Sequence, residues 1–526
     1  MLRRLSSPIA AACIAVAAYA IPAPSFAAAP DPHSGIAWQI ASSDAEVDRA
    51  FALARQTGKP VFLYWGAVWC PPCNQVKATL FSRPDFVERT HAFIPVYVDG
   101  DKPGAQKVAA RFKVSGYPTM VLFKPDGSEI TRLPGEVDPE RYLLTLNAGL
   151  NAEVPVKELV SRALSHQTLS TEQWRLLAFY SWDTADQQVF KKAELASRLS
   201  DLATAAPAQV GAAKDRLALK AMVARADDEG RKADDRTRAA DRALIERILA
   251  SPEATREQWD LILSSADSTV KYLTPSPDAR AELARKWDAS LQQLLAGGSL
   301  SRSNLVDALD ARVGLWKVID KSERLSAERQ QVVRAELSRV VSLSTDRYER
   351  QAVIPNAADV LASAGLLQES DALLKAELPR AVAPYYHMLE LASNAKKRGD
   401  KADALHWYEE AWRTSEGPAT RIQWGSGYVR QLVELSPQDT KRISDAATAI
   451  VGGLEPSGET FFERNQRSLQ KMAAQLLKWQ GNDASRAKVV AKVKEQLSHT
   501  CGKLPAQDAG RANCEHVFEA AEKSES

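Results

Sequence analysis

The chain has little net charge, few histidines and no glycine-rich phosphate loop. Its 526 residues include 68 Lys and Arg against 66 Asp and Glu, which leaves a formal net charge of +2. A balance this close to zero provides no broad positive field for capturing nucleic acid or an anionic membrane surface. Five of the seven histidines are scattered, without ligand spacing or a paired nucleophile. The composition therefore argues against a metal, nucleotide or nucleic-acid function.

Only the N-terminus carries a long apolar run, and it is too short to span a bilayer. The run from Ile9 to Ile21 has 13 residues, whereas a membrane-spanning helix needs ~20. Two arginines precede it and small residues near Ala27 follow it, which is the pattern of a cleaved signal peptide over 1–27. The alternative is a lipoprotein acylated at Cys13, for which the preceding alanines make a poor lipid box. We expect an exported protein, periplasmic or secreted, whose mature chain is soluble.

Cysteine is scarce as well, and two of the five cysteines form a motif. Cys70 and Cys73 stand two residues apart, after the apolar run Val61–Trp65 and at the start of a helical segment. The unpaired N–H groups and positive dipole end of a helix favour the thiolate of Cys70, which makes it a nucleophile. The pattern predicts thiol-disulfide exchange, in which Cys73 resolves the mixed disulfide. The alternative is that the two cysteines form half of a zinc site, but the sequence contains no second pair of cysteines at this spacing.

The region 36–148 alternates short β-type runs with amphipathic helical runs, which is typical of an α/β domain. Pro71 suits the first turn of the helix that the cysteines open, because a missing N–H costs nothing there. The element order is predicted as β-α-β-α-β-α-β-β-α. The predicted strands are 36–40, 61–65, 92–98, 119–123 and 129–133, and the other predicted helices are 44–57, 106–112 and 139–146.

A second motif lies 45 residues beyond Cys73, where Gly116 is followed by Tyr117, Pro118 and Thr119. With the cysteine pair, it resembles the cis-proline loop of the thioredoxin superfamily. The segments 45–60 and 80–87 are more similar to the periplasmic thioredoxin-like domain of the DsbD electron transporter than to cytosolic thioredoxin. The resemblance covers about a fifth of the chain. It implies a thioredoxin fold, a central mixed sheet flanked by helices.

The resemblance also implies roles around the cysteines. Pro118 would lie beside Cys70, and the exposed backbone of Tyr117 would let a substrate peptide pair like an added strand. Protein thiols and disulfides are the expected substrates, with a DsbD-type membrane electron donor as a further partner and no cofactor beyond the redox disulfide. The DsbD-like flanks favour the reductase or isomerase direction. The predicted site comprises Cys70 and Cys73 as catalytic residues, Tyr64, Trp69, Pro71 and Pro72 as support, and Tyr117, Pro118 and Thr119 for substrate.

One position departs from the family pattern. Thioredoxins usually carry a buried acid six residues before the first cysteine, where this chain has Tyr64. A phenol, with an ordinary pKa of ~10, is a poor proton acceptor near neutral pH. The substitution predicts that resolution by Cys73 is slower or less pH-sensitive than in an acid-bearing relative. The alternative is that Tyr64 only fills the core.

Beyond a predicted linker at 149–155, the sequence becomes rich in Ala, Leu, Arg and Glu, and 156–498 is expected to be all-α. The spacing around Gly399 and Tyr408 resembles a tetratricopeptide-type helix hairpin, with a weaker copy near Gly365. This spacing predicts stacked hairpins over at least 356–451, with a concave surface for peptides or a partner protein. A scaffold or a dimerisation arm is the alternative, and the oligomeric state is left open.

Nine of the 12 tryptophans lie in this helical part. Core packing is the favoured interpretation, since indole rings fill gaps between stacked helices. A patch of four aromatic residues is the first candidate for partner contact. Its members are Trp407, Trp412, Trp424 and Tyr428.

The predicted C-terminal tail, 499–526, carries the other mature cysteines, Cys501 and Cys514. In an oxidising compartment they are expected to form a structural disulfide. With His499 and His516 they would make a zinc set of uncommon spacing, which is less favoured.

The sequence thus predicts an exported thiol-disulfide oxidoreductase with a helical partner-binding region. The rival is an interaction or chaperone-like protein whose thioredoxin-like domain is a redox sensor or a non-catalytic module. The enzymatic interpretation requires that the Cys70 sulfur can be reached from solvent.

Overall fold

The computed structural model describes residues 35–135, 138–182, 189–228, 233–298 and 300–525. The predicted signal peptide, 1–27, and Cys13 lie outside the described residues. A domain with one sheet, here called the head, comprises 36–150, and the helices from 156 to 525 are called the body. Within the described ranges, no helix combines the length and the apolarity that crossing a bilayer requires.

The head contains a mixed sheet of five strands in the order β1-β3-β2-β4-β5. The first three strands are parallel, β4 is antiparallel to β2, and β5 is antiparallel to β4. The central strand β2 is buried on both faces, so its side chains alternate between two apolar layers. The strands are β1 Gln39–Ala41, β2 Val61–Gly66, β3 Ile94–Asp99, β4 Thr119–Phe123 and β5 Glu129–Leu133.

Helices cover both faces of this sheet. The first begins where predicted, because Ser43 and Glu46 form a reciprocal capping box. Helix α2 continues as a π-helical turn, Lys77–Phe81, and a 3-10 turn, Thr90–Ala92, precedes β3. The helices are α1 Asp44–Thr57, α2 Pro71–Val76, α3 Pro84–Arg89, α4 Ala105–Phe112 and α5 Pro139–Leu150.

The predicted elements of the head are confirmed in type and order, with four local differences. The first strand is shorter than predicted, because the Trp38 amide donates to the Ile36 carbonyl in a turn and does not pair with β3. The third strand starts two residues later, after the 3-10 turn. Helix α3 was not predicted. Helix α5 runs past its predicted end and through Gly149, which packs closely on Leu122 and Thr131.

The body contains no β-strand within the described ranges and is built from helices. Short 3-10 turns occur at Lys192–Glu194, Ala208–Val210 and Gly458–Thr460. The first eleven helices are α6 Val156–Leu164, α7 Thr171–Phe179, α8 Leu195–Ala205, α9 Gly211–Ala226, α10 Asp235–Leu249, α11 Pro252–Glu257, α12 Trp259–Ser264, α13 Ala266–Leu273, α14 Pro277–Ala296, α15 Arg302–Asp320 and α16 Ala327–Leu343. The others are α17 Arg347–Ser363, α18 Leu367–Glu377, α19 Pro384–Lys397, α20 Lys401–Thr414, α21 Pro418–Leu435, α22 Thr440–Gly452, α23 Glu463–Gln480, α24 Ala484–Gly502 and α25 Ala509–Glu525.

Helix hairpins occupy the segment for which stacked hairpins were predicted. Gly365 and Gly399 have positive φ angles of 84° and 79° at the turns that join α17 to α18 and α19 to α20. Pro355 lies inside α17, among buried residues on both sides of it, although proline usually ends a helix. Seven of the nine tryptophans in the body are buried, as core packing predicts; they are Trp174, Trp182, Trp259, Trp287, Trp316, Trp424 and Trp479.

Helices from several parts of the body contact the head. Arg141 of α5 donates to the carbonyls of Arg256 and Glu257, at 2.7 Å each. Gln75 of α2 donates to the Asn304 side chain of α15 at 2.7 Å. The hairpins over 356–451 were predicted to offer a concave surface to peptides or a partner, and Thr420 in this segment contacts the head of the same chain.

Cys501 and Cys514 are bonded to each other, as predicted. Helix α24 carries the first and α25 the second, and both sulfurs lie in an apolar core that also contains Val493 and Val517. The bond therefore joins the last two helices of the body. The structure shows no group of three or more metal-ligating side chains among the residues it describes.

Candidate active site

The two cysteines of the first motif occupy the start of α2. Cys70 is the N-cap residue, and its sulfur accepts the Cys73 amide at 3.2 Å. The two sulfurs are bonded, so the structure represents the oxidised state. Pro71 and Pro72 fill the first helical positions, where no backbone donor is needed. The sequence places these residues here because the buried strand β2 ends at Gly66 and a short loop leads directly into the helix.

The second motif lies against the first. The Tyr117–Pro118 peptide bond is cis, and Pro118 is buried. The Tyr117 ring meets the Trp69 ring edge-on at a centroid distance of 6.0 Å, and both rings pack against the two cysteines. Thr119 is 2% exposed and donates to the Gly116 carbonyl at 2.9 Å. The structure therefore brings together the residues that the sequence assigned to catalysis and to substrate.

Tyr64 lies on β2, the strand that precedes the cysteines, and is completely buried. Burial, with a smaller contribution from the Asp99 carboxylate, raises the pKa of Tyr64 well above its ordinary value. Its hydroxyl has no hydrogen-bond partner in the part of the chain that the structure describes. Its ring stacks on Tyr97 and meets Phe81 edge-on. These contacts fit a core residue, and the phenol stays protonated at neutral pH.

Asp99, at the end of β3, is a buried acid that sequence reasoning missed. It pairs with Gly66 across the sheet and is 8% exposed. Burial, and then the neighbouring Asp101 carboxylate, raise the pKa of Asp99 above its ordinary value. Two aspartates directly after a predicted buried strand were the available signal, because this strand ends at the same sheet edge as β2.

The body covers the active site with four residues, here called the cover: Tyr386, Thr420, Trp424 and Arg464. The Tyr386 ring stacks on Trp69 with centroids 5.8 Å apart and planes 15° apart, and the Trp424 ring lies 5.3 Å from Trp69. The indole N–H of Trp69 donates to the Thr420 hydroxyl at 3.0 Å. The Arg464 guanidinium lies 5.4 Å from the Trp69 ring and 5.1 Å from the Tyr117 ring.

A charged contact holds the cover to the head. The Asp101 carboxylate accepts from the Thr420 hydroxyl at 2.5 Å and pairs with the Arg464 guanidinium. Asp101 is 6% exposed, and the Arg464 side chain is 12% exposed. The Arg464 amide also donates to Gln106 of α4, at 3.1 Å. No local pattern predicts these contacts, because 363 positions separate Asp101 from Arg464.

Cys70 is buried among Trp69 and Tyr117, on which the cover packs, and the expectation of a solvent-accessible Cys70 was wrong for this state. Cys70 is 2% exposed and Cys73 is 0% exposed. The local motif does predict a thiol at the end of a helix, but it contains no information about residues that arrive from the distant body. One residue of the aromatic patch that was predicted to contact a partner, Trp424, packs on Trp69 of the head.

A family model for the thioredoxin-like domain matches residues 47–150. Thiol:disulfide interchange protein DsbD 1 of Pseudomonas aeruginosa is 34% identical over 105 residues, which are 19% of this chain and 18% of that protein. Thiol:disulfide interchange protein DsbD of Pseudomonas fluorescens is 33% identical over 111 residues, 20% of this chain and 19% of that protein. The chain thus spans about a fifth of the length of the curated relatives it matches.

Two solved structures are similar to part of the chain. The solution structure of a thioredoxin from Thermus thermophilus has 28% identity and a TM-score of 0.19, covering 22% of this chain and 85% of that one. The DsbH oxidoreductase has 20% identity and a TM-score of 0.20, covering 22% of this chain and 86% of that one. The matched family model and the five-stranded sheet with its flanking helices both indicate a thioredoxin-like fold. Residues 47–150 form a thioredoxin-like domain with DsbD-like relatives, attached to a large helical body.

Proposed function

We propose that this protein is an exported thiol-disulfide oxidoreductase that exchanges disulfides with protein substrates through Cys70 and Cys73. The observation that carries the proposal is the position of Cys70. It caps helix α2, is bonded to Cys73 and lies beside the cis Tyr117–Pro118 bond. The curated relatives with a similar domain are named thiol:disulfide interchange proteins, which supports the same chemistry.

The proposed reaction begins with the reduced pair. The Cys70 thiolate attacks one sulfur of a substrate disulfide, a mixed disulfide forms, and the second substrate sulfur leaves as a thiolate. The Cys73 thiolate then attacks the Cys70 sulfur, which forms the Cys70–Cys73 disulfide and releases the first substrate sulfur. The substrate gains two electrons and the protein loses two. A dithiol protein must then reduce the pair for another turnover, and no other cofactor takes part.

The direction and the setting are parts of the proposal. The similarity to DsbD supports the reductase or isomerase direction and a DsbD-type membrane protein as the electron donor. A periplasmic or secreted location follows from the same similarity and from the predicted signal peptide. We also assign α17–α22 to tetratricopeptide-like hairpins, supported by the turns at Gly365 and Gly399.

The burial of Cys70 favours a second candidate function. A thiol pair held under the body is suited to sensing redox state, with the body reporting the change to an interaction partner. In that case the head would not turn over protein substrates. The two functions differ in whether a substrate sulfur ever bonds to Cys70.

Trapping of the mixed disulfide tests the proposed function. In the Cys73→Ala variant, no second thiol resolves the intermediate, so incubation of the reduced protein with insulin should leave a complex bonded through Cys70. Non-reducing mass spectrometry of tryptic fragments locates the bond. The matched control carries Cys70→Ser as well and should form no complex. A bond through Cys501 or Cys514, or no complex over the pH range 6–9, would contradict the proposal.

A further inference from the structure

The face of the head that a substrate must reach is occupied by the body. Trp69, Cys70, Tyr117 and Pro118 line this face, and all four are buried or half-buried. We propose that the cover is an autoinhibitory contact, which must separate from the active-site face of the head before a protein substrate reaches Cys70. Under the proposed function, a protein substrate competes with the body for the same place.

The contacts have the chemistry of a protein–protein docking site. Two aromatic rings of the cover pack on Trp69, and a guanidinium lies over Trp69 and Tyr117. Aromatic and arginine side chains are the types that dominate the binding energy of protein interfaces. The surface of the head around Trp69 is therefore covered by the kind of side chains that a partner protein would supply.

Access to the Cys70 sulfur is closed on the backbone side as well. The Trp69 carbonyl faces the Gln351 amide of α17 at 3.4 Å, and the Gln351 oxygen accepts the Ala383 amide at 3.1 Å. Gln351 is 1% exposed. A peptide that paired with the backbone at Tyr117 would have to displace α23, because the Arg464 guanidinium lies 5.1 Å from the Tyr117 ring. The proposal therefore requires two arrangements of the same chain, a closed one with the cover on the head and an open one in which the cover has separated from it.

The docked surface leaves several polar groups without partners, which makes separation easier. The indole N–H of Trp424 and the Nε and Nη1 donors of Arg464 are buried and find no acceptor within the described ranges. Each of these groups would regain hydrogen bonds to water if the body moved away from the head. The charged pair of Asp101 and Arg464 opposes that movement, because separation leaves no carboxylate beside the guanidinium.

Alkylation of Cys70 in the reduced full-length protein measures the closure without requiring any catalysis. Arg464→Gln removes the ion pair with Asp101, and Tyr386→Leu independently removes the ring stacked on Trp69. We expect each variant to react with iodoacetamide at Cys70 about tenfold faster or more than the wild type, because the open population rises. Peptide mass spectrometry assigns the label. Arg334→Gln is the matched control, because Arg334 pairs with Glu369 on α18, and it should react as the wild type does.

The outcomes separate this inference from the proposed function. Wild-type alkylation at the rate of an exposed cysteine, or equal rates in the wild type and both variants when circular dichroism shows them folded, would overturn the closure. Faster alkylation in the variants without any mixed disulfide with insulin would support the closure and refute the enzyme. Formation of the mixed disulfide with insulin at equal rates in the wild type and in both variants would support the enzyme and overturn the closure.

Discussion

Replacing Cys70 by serine should abolish catalysed reduction of insulin by a dithiol, with a loss of about a thousandfold or more. The attacking species in disulfide exchange is a thiolate, and a serine hydroxyl does not ionise near neutral pH, so no mixed disulfide forms. Cys73 does not take over, because it lies one turn further into α2 and is 0% exposed. Turbidity of the released insulin chains measures the rate.

The second cysteine pair provides the matched control for this experiment. Cys501 and Cys514 are bonded in the core of the body, so their joint replacement by serine should leave insulin reduction within a few-fold of the wild-type rate. The reduction must be measured below the unfolding temperature, since removing a native disulfide destabilises a protein by about 2–5 kcal/mol. Retention of activity in Cys70→Ser would contradict the role of Cys70 as the nucleophile, and its loss in the folded control would assign the reduction to the second pair.

Acidification between pH 6.5 and 4 should destabilise the protein through His387, by about 3 kcal/mol in the free energy of unfolding. This residue lies on α19 next to Tyr386 of the cover and is 0% exposed. Burial lowers the pKa of His387 to about 4 from an ordinary value of 6.5. The unfolded chain therefore takes up a proton over this range while the folded chain does not, and stability falls as the pH falls.

Urea denaturation at a series of pH values tests this expectation. In His387→Leu, the fall in the free energy of unfolding between pH 7 and 4 should be about 3 kcal/mol smaller than in the wild type, whatever the stability of the variant at pH 7. His406→Leu, on the exposed surface of the next helix, keeps His387 in place and should retain the full loss. Parallel stability curves for the wild type and His387→Leu would contradict the assignment.

Local sequence patterns were sufficient for the head. The Ser43 cap defined the start of α1, and the hairpin around Gly127 has the predicted strand bounds. Short-range signals of this kind act within a few residues, so they hold wherever the surrounding fold is compatible. Pro355 shows their limit, because packing on both sides keeps α17 continuous across a residue that usually ends a helix.

The cover could not be predicted in the same way. Thr420 and Arg464 meet the active site from positions more than 300 residues away, and nothing near either residue marks it as a contact of Trp69 or Asp101. Hydrophobic periodicity identifies which face of a helix is buried but not which surface buries it. The sequence therefore predicted the position of Cys70 at the start of α2 and missed its burial.

The central claim is that Cys70 is an activated thiol, and its ionisation tests that claim most directly. The rate of iodoacetamide alkylation of Cys70 in the reduced wild-type protein, measured by mass spectrometry from pH 4 to 10, follows the thiolate fraction. We expect its midpoint to lie at least about one pH unit below that of a free cysteine, ~8.5, because Cys70 caps α2. A midpoint at or above that of free cysteine would contradict the account.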